Sequence, residues 1–183
     1  MKQDHQAFSL IELLISLVLM LFICTMIIPH GHKHAQQQVI QELDRLEALF
    51  YSLQQRAMAC GLDVQLTCNV AKQSYRYQTL QENELTAFLS QNIRFGVMPG
   101  TMGPPWQATE AVQTPITFAQ LADAVEQENR IYFFSNGKIS SGTIYLCDQG
   151  YTVGGALTCA VSQVSSIRKY LYDGKRWKLI NSQ

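Results

Sequence analysis

At 183 residues the chain has room for one domain with a real core plus an appendage. Its 14 basic and 14 acidic side chains cancel, so net charge points to no particular partner. Charged residues make up 15% and hydrophobic ones 47%, and the apolar residues are unevenly spread. Five cysteines, four of them outside the apolar N-terminal segment, suggest an oxidising compartment.

From Phe8 to Ile28 runs FSLIELLISLVLMLFICTMII, 21 residues with a single charge, Glu12. As a helix this segment is roughly 31 Å long, enough to cross the hydrocarbon of a bilayer. A secretory signal ends in a small-x-small cleavage site, whereas this run ends in Ile27-Ile28-Pro29-His30-Gly31. A lipoprotein signal needs small residues before its cysteine, but Cys24 follows the bulky Phe22-Ile23. A plain signal anchor leaves Glu12 unexplained. A carboxylate in a spanning helix costs on the order of 3 kcal/mol on insertion scales, and such a group marks a function.

Ala7-Phe8-Ser9-Leu10-Ile11-Glu12-Leu13-Leu14 resembles the processing motif of type IV prepilins and type II secretion pseudopilins. The resemblance implies a polar leader, residues 1–7, removed by a prepilin peptidase between Ala7 and Phe8. It implies N-methylation of the new Phe8 terminus and an assembly role for Phe8 and Glu12. In that arrangement the Glu12 carboxylate of one subunit neutralises the Phe8 ammonium of a neighbour and sets their axial register. Pro29 stands where the family tends to carry a proline at the end of the span. The chain departs from the family pattern in having Ala7 for glycine and a leader whose only basic residue, Lys2, is offset by Asp4. The resemblance places the chain in a bacterial inner membrane as a single-pass protein, head in the periplasm, before assembly into a filament.

After Pro29 a second helical stretch is expected over 35–59. Val39, Leu43, Leu46, Phe50, Leu53 and Ala57 recur in steps of four and three and form one apolar stripe. Glu42, Asp44 and Glu47 read as the wet side of this amphipathic helix, and Gly61 ends it. His30 and His34 have metal-compatible helical spacing, but no third ligand is near in sequence, so they read as solvated residues and no metal or other cofactor is expected.

Beyond Gly61 the pattern changes to short strands. Asp63–Val70 and Ser74–Leu80 alternate, Glu82–Gln91 reads as a short helix, and Met98–Pro115 reads as a surface loop. Arg130–Ser135, Asn136-Gly137 and the residues from Lys138 read as a hairpin. Thr143–Cys147, Tyr151–Val153, Thr158–Val164 and Ile167–Tyr172 follow as strands, and Asp173-Gly174 turns into Lys175–Ile180. The expected fold is α+β and pilin-like: a long N-terminal helix, its first half (8–28) transmembrane and its second (29–60) amphipathic, packed on an antiparallel β-sandwich head (61–183).

Two stretches of the head are similar to the minor pseudopilin GspH and minor pilin FimT group: Leu53–Val64, where an arginine and small residues precede a strand, and Ile131–Leu146, with its strand, glycine turn and Ser-x-Gly pattern. The four cysteines outside the span allow three pairings. The sequence-local pairs Cys60–Cys68 and Cys147–Cys159 are expected because each joins the ends of a turn or hairpin, leaving Cys24 free.

Arg168, Lys169, Lys175, Arg176 and Lys178 hold five of the 14 basic residues, interleaved with Tyr170, Tyr172 and Trp177. They read as an edge hairpin guarded by charge, or alternatively as a patch for double-stranded DNA. Some FimT-like pilins bind DNA through a basic C-terminal region, and Gly174–Lys178 loosely resembles theirs. No nucleophile elbow, phosphate loop or zinc signature occurs, so an enzyme is not expected. The sequence points to a minor pilin or pseudopilin that initiates or caps a type IV pilus or type II secretion pseudopilus with other pilins. The alternative is a DNA-uptake minor pilin on the same scaffold.

Overall fold

A computed structural model describes residues 10–78, 84–103, 111–118, 128–160 and 166–180, with side chains at 24–32, 78 and 128 excepted. The leader, Ala7 and Phe8 lie outside the described residues. The chain divides into two compact units, Met1–His34 and Ala35–Gln183. One helix, α1, runs Leu10–Cys60. It stops where Gly61 takes φ +65°, a left-handed conformation that glycine adopts without steric cost.

Ala35–Gln183 combines the end of α1 with nine strands: β1 (Val64–Asn69), β2 (Ser74–Gln78), β3 (Glu84–Phe88), β4 (Ile93–Phe95), β5 (Glu128–Phe133), β6 (Gly142–Asp148), β7 (Gly154–Ala160), β8 (Ser166–Tyr172) and β9 (Trp177–Ile180). They form two antiparallel sheets, one ordered β3-β2-β1-β5 and the other β4-β6-β7-β8-β9. The helical stripe Val39, Leu43, Leu46, Phe50, Leu53 and Ala57 is no more than 2% exposed. Leu66, Cys68 and Tyr75 from the first sheet share its core with Ile144, Leu146, Leu157, Ile167 and Leu171 from the second. Phe50 meets Phe133 edge-on, with ring centroids 5.2 Å apart. Burying one such aromatic side chain contributes about 1.5–3 kcal/mol. Gly155 lets the helix come close to the second sheet: a Cβ there would stand 2.7 Å from Val39 Cγ1 and 2.8 Å from Leu43 Cδ1.

Gln73, at φ +51°, ties the sheets together outside the core. Its Oε1 accepts the Phe95 N–H of β4 at 2.6 Å, and its carbonyl accepts the Leu89 N–H after β3 at 3.1 Å.

Several expectations are corrected by this arrangement. Glu84–Phe88, expected as part of a helix, is a strand in register with β2, pairing Glu84 with Gln78 and Phe88 with Ser74. The β2 backbone needs partners on that side, and this tertiary demand outweighs local preference. The Asn136-Gly137 turn forms, with Gly137 at φ +81° and the Phe134 N–H donating to Lys138 O at 2.8 Å. The hairpin is cut short, however: after the Phe133–Ile139 bridge the chain crosses to β6 in the other sheet. Tyr151–Val153, expected as a strand, belongs to the turn before β7. Asp148 holds that turn, accepting N–H bonds from Gly150, Thr152 and Val153 at 3.1, 2.7 and 2.7 Å. Burial raises the Asp148 pKa, but these bonds and the Thr152 hydroxyl outweigh it and hold the carboxyl below its ordinary value.

Strand register sets Cys147 and Cys159 apart. Cys60, Cys68, Cys147 and Cys159 are all free thiols. Cys147 stands opposite Gly154 and Cys159 opposite Gly142, so five strand positions, about 17 Å, separate them. Cys159 faces the helix with Ile144 and Leu146, whereas Cys147 alternates to the other face. Disulfide Cα atoms lie only about 4.4–6.8 Å apart. Cys60, the last residue of α1, is exposed, and Cys68 is buried in the core. Burial pushes the Cys68 and Cys159 thiols up to about 12, so neither is a reactive thiolate near neutrality. Alkylation of the unreduced protein after unfolding should therefore label all four. A peptide joining Cys147 to Cys159 would contradict the β6–β7 register.

Candidate assembly surface

In the first unit, every large apolar side chain from Leu10 to Ile23 is 52–81% exposed. Glu12 is the only charge in that stretch and lies in the first turn of α1. Among the described residues no helix is long and apolar enough to cross a membrane. The expected span, Phe8–Ile28, extends past Leu10–Ile23 at both ends, and those ends lie outside the described positions or side chains.

In the second unit, the acidic residues of the helix are not a wet face. Glu42 is 2% exposed, its Oε2 accepting the Ser90 hydroxyl at 2.5 Å and its Oε1 lying 3.7 Å from the Arg45 guanidinium. Glu47 is 8% exposed and 2.7 Å from Lys169 Nζ, which also lies 2.5 Å from the half-exposed Asp44. Only Asp44 of the three meets solvent substantially. Burial lowers the Lys169 pKa, but hydrogen bonds to Asp44 and Glu47 outweigh it, and the net shift is upward.

The basic C-terminal set is consequently not one patch. Lys169 is 5% exposed and faces the helix, withdrawn from any DNA surface. Arg168, its neighbour, points to the opposite face of the sheet and is exposed. It borders a cavity of about 580 Å³ lined by Val112, Gln113, Thr143, Tyr145 and Thr158. Four strand steps, roughly 13 Å, separate Arg168 from Tyr172, where the β8–β9 turn begins. In that turn Asp173 Oδ1 accepts the Lys175 and Arg176 N–H groups, and Asp173 Oδ2 lies 2.9 Å from Lys178 Nζ. These contacts hold the Asp173 carboxyl well below the ordinary carboxylate range, Lys178 first among them. Trp177 Nε1 donates to Met102 O and its ring packs on Tyr172 and Tyr145.

The family described as the prokaryotic N-terminal methylation motif matches residues 2–28. No curated protein matches the chain's sequence. Among solved structures, the chain is similar to the minor pseudopilin EpsH from the type 2 secretion system of Vibrio cholerae. The two share 11% identity at a TM-score of 0.46, over 76% of this chain and 99% of that one.

Sequence reasoning missed the burial of Lys169, although the signal was present. Ile167, Lys169 and Leu171 alternate along β8, so all three fall on one face, and two of them are core residues. Among the described residues no group of three His, Cys, Asp or Glu is placed to hold a metal. His34 is exposed, and the His30 side chain lies outside the described set.

The raised Lys169 pKa gives a pH signature. Its contribution to stability is fully present below the ordinary lysine value of about 10.4 and is lost as pH rises through the higher folded value. Wild type should lose stability relative to Lys169→Met/Glu47→Leu above roughly pH 10.4. Parallel denaturation curves for the two across that range would contradict the pairing.

Proposed function

We propose that this chain is a minor pilin or pseudopilin, a structural subunit that helps initiate or cap a type IV pilus or type II secretion pseudopilus. The observation that carries the reading is the methylation motif over residues 2–28, which opens into a helix whose later part supplies the core of a β-rich head. On this reading a prepilin peptidase cuts between Ala7 and Phe8 on the cytoplasmic side. The apolar run Phe8–Ile28 holds the chain in the bacterial inner membrane, with the head in the periplasm, until other pilins or pseudopilins take it into a filament. Glu12 then serves as counter-charge to the methylated Phe8 ammonium of a neighbour, in a low-dielectric filament core where an unpaired charge is costly. The protein acts by assembly and catalyses no reaction.

The alternative, a FimT-like DNA-uptake pilin, keeps only part of its expected contact set. Lys169 is buried against the helix, Lys178 is paired with Asp173, and Arg168 lies on a different part of the sheet from Lys175 and Arg176. Few aligned cations mean few phosphate contacts and weak, salt-sensitive binding. Assembly is therefore the favoured reading.

Mass spectrometry of membrane-extracted protein from cells with an active prepilin peptidase should show a chain beginning at N-methylated Phe8. An intact Met1 or Lys2 start would sink the proposal. Glu12→Ala should still be cut and inserted, yet enter filaments poorly; filament incorporation equal to wild type would remove Glu12 from the assembly role.

A further inference from the structure

The six residues of the apolar stripe span a narrow arc of α1, with Ile40 and Leu49 packed beside it on either flank. Apolar contact of this kind is non-directional, so it leaves room for directional bonds to select one rotation of the helix. At 100° per residue, Glu42 lies roughly 60° to one side of the stripe's centre and Glu47 roughly 80° to the other. Each is buried and each is held by a different part of the head: Glu42 by Ser90, between β3 and β4, and Glu47 by Lys169, in the middle of β8. Asp44, one step beyond Glu47, adds a second carboxylate to the same ammonium. We propose that Lys169, with Glu47 and Asp44 on one flank and the Ser90–Glu42 bond on the other, is a positioning residue that fixes the rotation of α1 in the head.

The consequence lies on the opposite side of the helix. Gln41, Ala48, Tyr51, Ser52 and Gln55 are exposed there. Rotation of α1 decides which of these side chains the head offers to a neighbouring subunit. A purely apolar contact at Lys169 would hold the helix as firmly but less specifically. Replacing a buried ion pair by apolar residues of similar volume is often neutral or stabilising, whereas the pair tolerates only one geometry. Lys169 thus serves the assembly role proposed above by presenting one helix face, and this step rests on that reading.

The test uses the full chain in detergent, with Cys24 and Cys60 replaced by serine and spin labels at Ala48→Cys on the helix and Lys138→Cys on the 134–138 turn. The buried Cys68, Cys147 and Cys159 are shielded from the reagent. Wild type should give one narrow label–label distance. Lys169→Met/Glu47→Leu should melt within a few degrees of wild type but show a second population. A rotation of one residue step moves a helical Cα by about 3.5 Å. Glu47→Gln, which keeps the size and an acceptor for Lys169, should give an intermediate width and decides the matter if the double variant does not fold. An unchanged narrow distance in the folded variants overturns the proposal. Incorporation into cellular filaments is measured in parallel and should fall for the double variant. If wild type itself forms no filament, the assembly reading fails while the distance measurement still decides the role of Lys169.

Discussion

The burial of one helical stripe organises the second unit. Val39, Leu43, Leu46, Phe50, Leu53 and Ala57 present apolar surface that neither sheet could cover alone, and both sheets close on it. Two sheets with few direct links are held as one body because each packs on the same helix. Gly155 removes the side chain that would keep the second sheet away, and Gln73 fastens β4 to the β1–β2 turn at the periphery. The same α1 that carries the methylation motif at one end is thus the core element of the head at the other.

Charge is used sparingly and inward. Of the three acidic residues nearest the stripe, Glu42 and Glu47 are buried on Ser90 and Lys169 and the half-exposed Asp44 shares Lys169, so the helix is seated by directional bonds as well as by apolar contact. This use of Lys169 removes the middle of the basic run from the surface and, together with the Asp173–Lys178 pair, leaves the C-terminal hairpin with little of the field its composition suggests. The hairpin's remaining charge suits the protection of β9, an edge strand with an exposed Leu179, against pairing with other chains.

Much of this is legible in the sequence. The stripe follows from helical periodicity, the helix end from Gly61, and the β8–β9 turn from Asp173-Gly174, each a local signal with a local cause. What failed was non-local. Glu84–Phe88 has no strong strand signature and becomes a strand because β2 offers a free edge. The cysteine pairing assumed that neighbours in sequence are neighbours in space, and the β6–β7 register places Cys147 and Cys159 at opposite ends and on opposite faces. Glu47 and Lys169 are 122 positions apart (169 − 47), so no local pattern could join them, although the β8 alternation did mark Lys169 as inward. The methylation motif could be read because it depends on residue identity over a few consecutive positions.

The account stands on the second half of α1 being part of the head's core rather than a linker to it. Equilibrium unfolding of two truncated chains, one beginning at Ala35 and one at Gly61, measures this directly by circular dichroism in urea. The chain from Ala35 should unfold in a single cooperative transition. The chain from Gly61, lacking the six stripe residues, should show no cooperative transition at all. A sharp transition of similar midpoint for the chain from Gly61 would mean that the two sheets make their own core, and would contradict the account.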